Sequence, residues 1–306
     1  MDPATREELS TIVAEPVQWD CPLAGYTSFA IGGPAEAVVK VRDRRELAAL
    51  LGFFGRTRVP WRIIGKGTNL LVRDEGFAGV IILLGDGFQQ LEFGPRRSGR
   101  CVVMVGAGCS LAKAAAVCMD RGLAGLEFAG GIPGTVGGAV IMNAGAWGGN
   151  MAAVIRTVTV LHADGERVLG RDGLDFGYRC WRDFARLCGR AIVVAVELDL
   201  KEDDPQQIRR RHAALQAKRR AGQPPGQGNA GSFFRNPAQA AAGRLIEAAG
   251  LKGARVGGAM VSERHANFLV NTGGATAADV LALMRLVQDT VRRDSGVELE
   301  PEVHFL

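Results

Sequence analysis

The 306-residue sequence lacks the features that mark several common classes of protein. Its six cysteines form no CxxC pair and no close cluster with the four histidines, so the sequence indicates neither a zinc site nor a disulfide framework. Buried, reduced thiols are the expectation instead. No run approaches the ~18 apolar residues of a membrane span, and the N-terminal MDPATREELS has no apolar signal core. We therefore expect a cytoplasmic protein that contains no metal.

Two familiar nucleotide-binding motifs are also absent. A P-loop requires Gly-Lys followed by Ser or Thr and then a helix, whereas Lys66 is followed by Gly67 and a predicted strand. No GxGxxG follows a predicted strand, which excludes the Rossmann fingerprint. The net charge of +5 suggests an anionic ligand, but with only two tyrosines and no nucleic-acid motif we do not expect nucleic-acid binding. A phosphorylated small molecule fits this charge.

Length and hydrophobic periodicity predict an α+β protein with more than one compact unit. A polar helical lead precedes a β-α-β start, and a composition change near residue 203 indicates a domain boundary. The predicted strands lie at 37–41, 61–64, 70–72, 79–84, 88–93, 101–105, 191–200, 266–270 and 297–305, with a hairpin turning at Asp164-Gly165. The predicted helices lie at 44–54, 110–121, 205–220, 238–249 and 276–293.

Two glycine-rich loops are the most unusual features of the chain. The longer reads GGIPGTVGGAVIMNAGAWGG from Gly130 to Gly149, with eight glycines in twenty residues. Glycine loses the most conformational entropy on folding, so this concentration indicates a backbone that approaches a ligand closely or a tightly packed structural crossing. We favour a backbone cradle for a large phosphorylated ligand. The shorter loop, GKGTN from Gly65 to Asn69, fits an anion site and a structural turn equally well.

The stretch GQGNAGSFFRNP places Ser232 after a glycine-rich approach. A nucleophilic serine is disfavoured, because no GxSxG elbow surrounds it and no histidine lies within thirty residues downstream to activate it. A phosphate ligand, a proton donor and a plain turn residue remain as alternatives. Phe233 and Phe234 are expected to pack in the core.

Five stretches, taken in order, resemble one known family. They are GKGTN, the eight-glycine loop, Gly177-Tyr178-Arg179, NAGSFFRNP and LEPEV, and the match runs from about Tyr26 to Phe305. Together they resemble the UDP-N-acetylenolpyruvoylglucosamine reductases. Only eleven residues separate Arg179 from Ala191, so the chain is similar to the short branch that lacks a tyrosine-bearing loop insertion.

The resemblance implies a fold and an activity. After a lead at 1–20, residues 21–203 would form an FAD-binding domain of the vanillyl-alcohol-oxidase (PCMH) type, with subdomains at about 21–85 and 86–203. Residues 204–306 would form an α+β substrate-binding domain. The enzyme would use NADPH to reduce UDP-N-acetylenolpyruvoylglucosamine to UDP-N-acetylmuramate for peptidoglycan, with no nucleic-acid or membrane partner and a monomer as the expected form. Residues 125–150 contain no His or Cys that could tether a flavin, so FAD is expected to bind non-covalently.

The resemblance also implies roles for individual residues. Arg179 would hold the substrate carboxylate, Ser232 would deliver a proton, and Glu302 would polarise the intermediate or orient the proton donor. Strand alternation puts Glu298, Glu300 and Glu302 on one side, so only the resemblance selects Glu302. The residues expected to bind FAD are Ile64, Gly65, Lys66, Gly67, Thr68, Asn69, Leu70, Gly131, Pro133, Gly134, Thr135, Gly137, Gly138, Asn143 and Gly145. The residues expected to bind the substrate are Tyr178, Lys218, Arg219 and Asn236.

Two other hypotheses stay open at this stage. One is a different FAD-dependent oxidoreductase of the same fold, such as an alcohol oxidase, which the motifs around Ser232 and Glu302 disfavour. The other is an anion-binding protein without redox chemistry, which would use the basic charge and the glycine-rich loops alone. The missing tyrosine loop also leaves open which residues clamp the uridine end of the substrate.

Overall fold

The computed structural model describes residues 1–187, 191–226 and 228–306, and Cys188 lies outside these ranges. The chain divides into two compact units, each assembled from three segments. The first unit comprises Met1–Trp19, Ala37–Gly65 and Gly79–Lys218. The second comprises Asp20–Glu36, Lys66–Ala78 and Arg219–Leu306.

The described residues form eight α-helices, most of which the sequence pattern predicts. Asp43 caps one helix by accepting from the N–H groups of Arg45 and Glu46, and Thr276 with Asp279 forms a capping box at another. The helix predicted at 238–249 begins late, because Asn236 Oδ1 accepts from Ala242 N and holds the preceding residues in a turn. The helices are α1 (Pro3–Ile12), α2 (Arg44–Thr57), α3 (Leu111–Asp120), α4 (Val136–Ile141), α5 (Arg182–Leu187), α6 (Pro205–Gly222), α7 (Ala242–Ala248) and α8 (Ala277–Ser295).

Twenty strands accompany these helices in the described part of the chain, and many are only two or three residues long. The strands are β1 (Gln18–Pro22), β2 (Pro34–Val41), β3 (Trp61–Ile63), β4 (Leu70–Leu71), β5 (Phe77–Leu84), β6 (Leu91–Arg97), β7 (Arg100–Gly106), β8 (Leu123–Ala124), β9 (Gly145–Ala146), β10 (Gly149–Asn150), β11 (Ile155–His162), β12 (Gly165–Gly170), β13 (Phe176–Gly177), β14 (Cys180–Trp181), β15 (Ala191–Glu202), β16 (Gly228–Asn229), β17 (Arg255–Val256), β18 (Ala259–Val261), β19 (Leu269–Asn271) and β20 (His304–Phe305).

The largest sheet belongs to the first unit and runs β12-β11-β15-β7-β6, with β8 also paired to β15. Its strands pair antiparallel, and the apolar run of β15 lies at the centre, packed against α3 and α4. The predicted hairpin between β11 and β12 is present, but its turn is shifted by one residue. Because His162 pairs with Gly165, the turn residues are Ala163 and Asp164. A second sheet has the order β1-β2-β5-β3.

The buried thiols of the first unit follow the sequence expectation. Cys101, Cys109 and Cys118 are buried in the apolar core that contains the large sheet, whereas Cys21 and Cys180 are half-buried. Burial raises the pKa of the Cys118 thiol to about 12, because desolvation disfavours the thiolate. Cys118 is therefore protonated and unreactive at neutral pH.

The second unit is built around α8 and a four-stranded sheet with the order β16-β19-β18-β17. Val280, Leu283, Val287 and Val291 of α8 are buried, as the predicted apolar stripe requires. The closing strand predicted at 297–305 is wrong in extent. Only β20 forms there, parallel to β4, while Pro301, which has no N–H to donate to a ladder, makes an isolated bridge with Phe234.

Within the residues that the structure describes, no helix combines the length and the apolar character that a membrane crossing requires.

Candidate functional site

The eight-glycine loop of the first unit is more ordered than a simple cradle. It contains α4 and the β9–β10 hairpin. A Cβ added at Gly130 would collide with the ring of His212, one at Gly145 would lie 2.5 Å from Gly149 O, and one at Gly149 would lie 2.6 Å from Phe128 Cδ1. Internal packing therefore accounts for several of these glycines without any ligand. This supports, for these positions, the tightly packed structural crossing that was the less favoured explanation of the glycine-rich loop.

Another part of the same loop does present backbone donors. The N–H groups of Gly131, Gly134 and Thr135 have no protein acceptor within the described residues. Thr135 Oγ1 caps α4 by accepting from Gly138 N at 3.4 Å, and a Cβ at Gly138 would meet nothing closer than that oxygen. Neutral amide donors beside open space suit a bound diphosphate. The residues at this end of the loop therefore fit the phosphate portion of a dinucleotide such as FAD.

Gly65 lies against this donor group, and Ile64 precedes it in the chain. Ile64 is buried, and a Cβ at Gly65 would approach Thr135 Oγ1 to 2.5 Å. The first unit thus brings the beginning of GKGTN together with the beginning of the eight-glycine loop. Gly65 and Thr135 are seventy positions apart in the sequence, and no periodicity predicts the contact.

Arg179 sits at the tip of a two-residue hairpin between β13 and β14. Its φ of +57° is left-handed, a backbone conformation that non-glycine residues rarely adopt and that recurs at functional sites. Its guanidinium donates to Gly145 O at 2.6 Å, and Cζ lies 5.4 Å from the ring centroid of Tyr178. Tyr178 is 54% exposed. The predicted catalytic arginine therefore lies directly against the predicted FAD-binding loop.

Asn143 joins that loop to the arginine hairpin. Its side chain is 8% exposed, with Nδ2 donating to Gly177 O and Oδ1 accepting from Ala152 N, both at 2.9 Å. Its φ of +39° is left-handed, a conformation that asparagine tolerates better than most residues. The side chain predicted to bind FAD thus also fixes the residue two positions before Arg179.

Lys218, near the C-terminal end of α6, lies close to Trp147 of the eight-glycine loop. Its Nζ lies 6.0 Å from the ring centroid of Trp147, which is 55% exposed at the turn of the β9–β10 hairpin. The helix is anchored to the segment before the loop, because Arg211 contacts Glu127 at 2.8 Å and His212 Nδ1 lies 3.3 Å from Glu127 O. The position of Lys218 is therefore set by the same unit that presents Trp147.

The second unit holds Ser232 in a tightly bonded segment. Gly231, with φ +78°, donates to Asn229 Oδ1 at 2.9 Å, and Ser232 itself is half-buried. Phe233 and Phe234 are fully buried, which confirms the expectation that they pack in the core. A Cβ at Gly231 would meet no atom within 4 Å. Glycine is therefore favoured there by its positive φ and not by crowding.

Glu302 and Asn69 meet beside the Ser232 segment. Glu302 N donates to Phe233 O at 2.8 Å, and Asn69 Nδ2 donates to Glu302 O at 3.1 Å. His304 N donates to Asn69 O at 3.0 Å, which continues the parallel pairing of β4 with β20. The second unit thus brings together three of the motifs that the sequence analysis selected.

Lys66, Gly67, Arg219 and Asn236 are further predicted residues of the second unit. Gly67 has φ +58°, and a Cβ there would collide with Tyr26 O, so a tight turn accounts for it; Lys66 is exposed. Arg219 is half-buried, and desolvation lowers the pKa of its guanidinium. A desolvated cation of this kind is stabilised by an anion. Asn236 is exposed apart from its bond to Ala242 N.

Two residues of the candidate site, Asn267 and Trp147, were not predicted from the sequence. Asn267 is 3% exposed and is hydrogen-bonded to the backbone of Phe233 and Phe234. A polar residue inside the apolar run ANFLV is the feature of the sequence that could have indicated this role. Trp147, exposed in a left-handed turn conformation at φ +55°, is the other. The sequence Trp147-Gly148-Gly149 does not indicate that the tryptophan is exposed.

Comparison with family models matches residues 35–169 to an FAD binding domain and residues 223–306 to the C-terminal domain of UDP-N-acetylenolpyruvoylglucosamine reductase. Among individual proteins, the chain is similar to the UDP-N-acetylenolpyruvoylglucosamine reductases of Geobacter metallireducens and Geobacter sulfurreducens. The first is 46% identical over 94% of this chain and 93% of the relative. The second is 47% identical over 93% of this chain and 92% of the relative.

The fold is similar to that of a solved structure as well. The crystal structure of the UDP-N-acetylenolpyruvylglucosamine reductase from Thermus caldophilus superposes with a TM-score of 0.80 at 40% sequence identity. The match covers 94% of this chain and 97% of that one. The predicted fold class, an FAD-binding domain followed by a C-terminal domain with mixed helix and strand content, is confirmed.

Proposed function

The chain belongs to the UDP-N-acetylenolpyruvoylglucosamine reductase family, and from that membership we propose that it reduces UDP-N-acetylenolpyruvoylglucosamine to UDP-N-acetylmuramate with NADPH as the hydride donor. The prediction of an FAD-dependent oxidoreductase is confirmed by the family and its FAD-binding domain. One observation of this structure supports the proposal most directly. The Ser232 and Glu302 stretches, seventy residues apart, are hydrogen-bonded to each other in one unit.

When bound, FAD would supply the two-electron redox chemistry for reduction of the enolpyruvyl alkene by NADPH. The free amides of Gly131, Gly134 and Thr135 would hold its diphosphate, with Ile64 and Gly65 beside them. In the second unit, Lys66 and Thr68 would add a cation and a hydroxyl. The other residues proposed to bind FAD are Gly67, Asn69, Leu70, Pro133, Gly137, Gly138, Asn143 and Gly145.

Arg179 would stabilise the negative charge that develops toward the substrate carboxylate. Its planar guanidinium can bind a carboxylate with two parallel hydrogen bonds. The bond to Gly145 O and the contact with Tyr178 fix its orientation before substrate arrives. Such preorganised charge stabilises a transition state without reorganisation during the reaction.

Ser232 would deliver the proton to the carbon next to the one that accepts hydride. A serine hydroxyl is a weak acid, so it can serve only where the intermediate is strongly basic and the O–H is well placed. Support for the second condition comes from the backbone of Gly231 to Arg235, which is held by hydrogen bonds with Asn229, Asn267 and the Glu302 stretch.

Glu302 would polarise the intermediate or orient the proton donor. Its N–H donates to Phe233 O and its C=O accepts from Asn69 Nδ2, so its backbone is fixed on both sides. Glu298 and Glu300 are exposed, whereas Glu302 is half-buried. This difference in burial supports Glu302 over its two neighbours.

Four further residues are proposed to bind the substrate. Lys218 beside Trp147 and the desolvated Arg219 would attract its diphosphate. Tyr178, exposed next to Arg179, would contact the sugar end. Asn236 would contact the substrate through an exposed side chain whose Oδ1 already accepts from Ala242 N.

We further propose a cytoplasmic monomer whose FAD-binding and substrate-binding domains divide near residue 203, with an N-terminal lead at 1–20 and FAD subdomains at about 21–85 and 86–203. UDP-N-acetylmuramate is a peptidoglycan precursor, so the enzyme would serve cell-wall growth, cell shape and division. Gel filtration of the purified protein measures the oligomeric state, and a dimer would contradict the proposed monomer.

The decisive experiment separates the two half-reactions. Purified protein should show flavin absorbance, NADPH should bleach it, and the enolpyruvyl UDP-sugar should restore it rapidly. A colourless protein that binds no added FAD would refute the proposed chemistry. Bleached flavin that simple ketones restore as fast as the UDP-sugar would refute the substrate assignment and favour an alcohol oxidase.

A further inference from the structure

Asn267 is a buried residue of the second unit that is hydrogen-bonded to the segment carrying Ser232. Its main-chain carbonyl accepts from Phe233 N at 2.7 Å, its Oδ1 accepts from Phe234 N at 2.9 Å, and its Nδ2 donates to Phe234 O at 2.8 Å. One residue therefore makes three hydrogen bonds to two consecutive residues that follow the serine.

The side-chain amide of Asn267 takes the place of a neighbouring strand. It offers Phe234 one acceptor and one donor, as a peptide group does in a sheet ladder. Within the described chain, only the isolated bridge to Pro301 gives Phe234 a strand-like partner. A buried amide is costly unless both of its polar groups are bonded, and here both are. The amide thus fixes the position and direction of the backbone at Phe234, where no regular sheet is present.

The same segment is bonded to the stretch that carries Glu302. Phe233 O accepts from Glu302 N at 2.8 Å, and Arg235 N donates to Glu300 O at 2.9 Å. These two bonds hold the backbone that directly follows Ser232 on a second side. Since Asn267 is buried, it affects Ser232 only through the backbone that it holds.

We propose that Asn267 is a positioning residue for proton delivery by Ser232. The inference rests on the proposed function, because it assumes that Ser232 donates the proton. A misplacement of the order of 1 Å can cost about 10²-fold in rate. Hydride transfer from NADPH to the flavin needs no proton from Ser232, so that half-reaction should not depend on Asn267.

The test compares Asn267→Asp with Asn271→Asp. Aspartate at 267 keeps an acceptor for Phe234 N but loses the donor to Phe234 O. Asn271 is a matched control in the same unit, since its side chain bonds Gly273 N, Ala275 N and Phe29 O and no atom of the 231–235 segment. Each variant is assayed as the flavin-loaded full chain by stopped-flow absorbance.

Asn267→Asp should slow reoxidation by the enolpyruvyl UDP-sugar roughly 10- to 100-fold. Flavin reduction by NADPH and the KM for the UDP-sugar should stay within about threefold of wild type, because neither depends on the hydroxyl. The solvent deuterium isotope effect on reoxidation should rise, since proton transfer becomes slower. Asn271→Asp should leave all four quantities close to wild type.

A double variant gives the sharpest criterion. In the Ser232→Ala background, Asn267→Asp should slow reoxidation by less than about threefold more, because the hydroxyl that it positions is gone. A full 10- to 100-fold further loss there, equal losses in Asn267→Asp and Asn271→Asp, or equal losses in both half-reactions would overturn the inference. If Asn267→Asp does not retain flavin, Asn267→Ser replaces it, with the same expected results and no added charge.

Failure of the proposed function would look different. If the enolpyruvyl UDP-sugar does not reoxidise the wild-type flavin, the function itself is refuted. If it does, and the variants at 267 and 271 behave alike, only the role of Asn267 is refuted.

Discussion

Replacing Asn143 by leucine tests how firmly the eight-glycine loop is joined to the Arg179 hairpin. Leucine has the same side-chain branching but removes the donor to Gly177 O and the acceptor for Ala152 N. Each buried backbone group left without a partner costs roughly 1–3 kcal/mol. Leucine at a left-handed φ adds about 1–2 kcal/mol. The apolar side chain recovers part of this by burial, so we expect a loss of about 3–5 kcal/mol in the free energy of unfolding.

The four tryptophans make this measurement selective. Trp19, Trp61, Trp147 and Trp181 all belong to the first unit, so intrinsic fluorescence during urea unfolding follows that unit alone. The protein is measured without FAD, because a ligand that binds only the folded state would add to its apparent stability.

Two further variants calibrate the result. Asn143→Asp keeps the acceptor for Ala152 N and should lose only about 1–3 kcal/mol. Asn150→Leu removes one exposed bond, from Ala153 N, and should lose less than about 1 kcal/mol. If Asn143→Leu destabilises the first unit no more than Asn150→Leu does, the two hydrogen bonds do not hold the loop to the hairpin and the reasoning is refuted.

Four other changes probe the site and its framework. Ser232→Ala should leave flavin reduction by NADPH within about twofold but slow reoxidation by the UDP-sugar about 10²–10⁴-fold; equal loss in both half-reactions would make the serine structural. Arg179→Lys keeps the charge but not the paired donors, and stopped-flow reoxidation should fall at least about tenfold, whereas an unchanged rate would refute carboxylate binding. Burial lowers the pKa of His265 below 6.5, so its contribution to stability is present above pH 6.5 and is lost as the pH falls through the folded value. His265→Gln should therefore flatten the acid side of the stability profile measured by circular dichroism, and an unchanged profile would assign the acid sensitivity elsewhere. Gly67→Ala should lower the free energy of unfolding by more than about 1–2 kcal/mol, from the positive φ alone and before the clash with Tyr26 O, and a smaller loss would show that the turn can relax.

Long periodic elements were predictable from sequence because their own side chains specify them. The stripe of Val280, Leu283 and Val287 defines α8, and the apolar run from Ala191 defines β15. The turn of the β11–β12 hairpin was misplaced by one residue, because the pairing of His162 with Gly165 depends on the register of the whole hairpin.

The apolar run LLV at 70–72 predicts a strand where β4 forms, but the extent and the partners of the short strands were not predictable. β4 and β20 are two residues each, and each exists only because the other pairs with it. Their neighbours Asn69 and Glu302 are 233 positions apart. Local propensity contains no information on such a contact, so the predicted strand at 297–305 was too long.

Some residues of the candidate site could be predicted from the sequence and others could not. The motifs with Arg179, Ser232 and Glu302 could be selected by resemblance, because their residue types are local in sequence. The roles of Asn143 and Asn267 could not, since their bonds reach Gly177 and Phe234 in other parts of the chain. The glycine concentration of the whole loop was attributed to a ligand cradle, although the ring of His212, the carbonyl of Gly149 and the ring of Phe128 explain Gly130, Gly145 and Gly149.

The order of segments in the second unit has a consequence for biosynthesis. Phe29, Ile31 and Leu71 leave the ribosome early, yet the apolar cluster that they join consists otherwise of residues from Ala230 onward. These side chains must wait in solvent, or with chaperones, while most of the first unit is translated. Expression of residues 219–306 alone would likewise leave that cluster without three of its members, and the segment would be prone to aggregate.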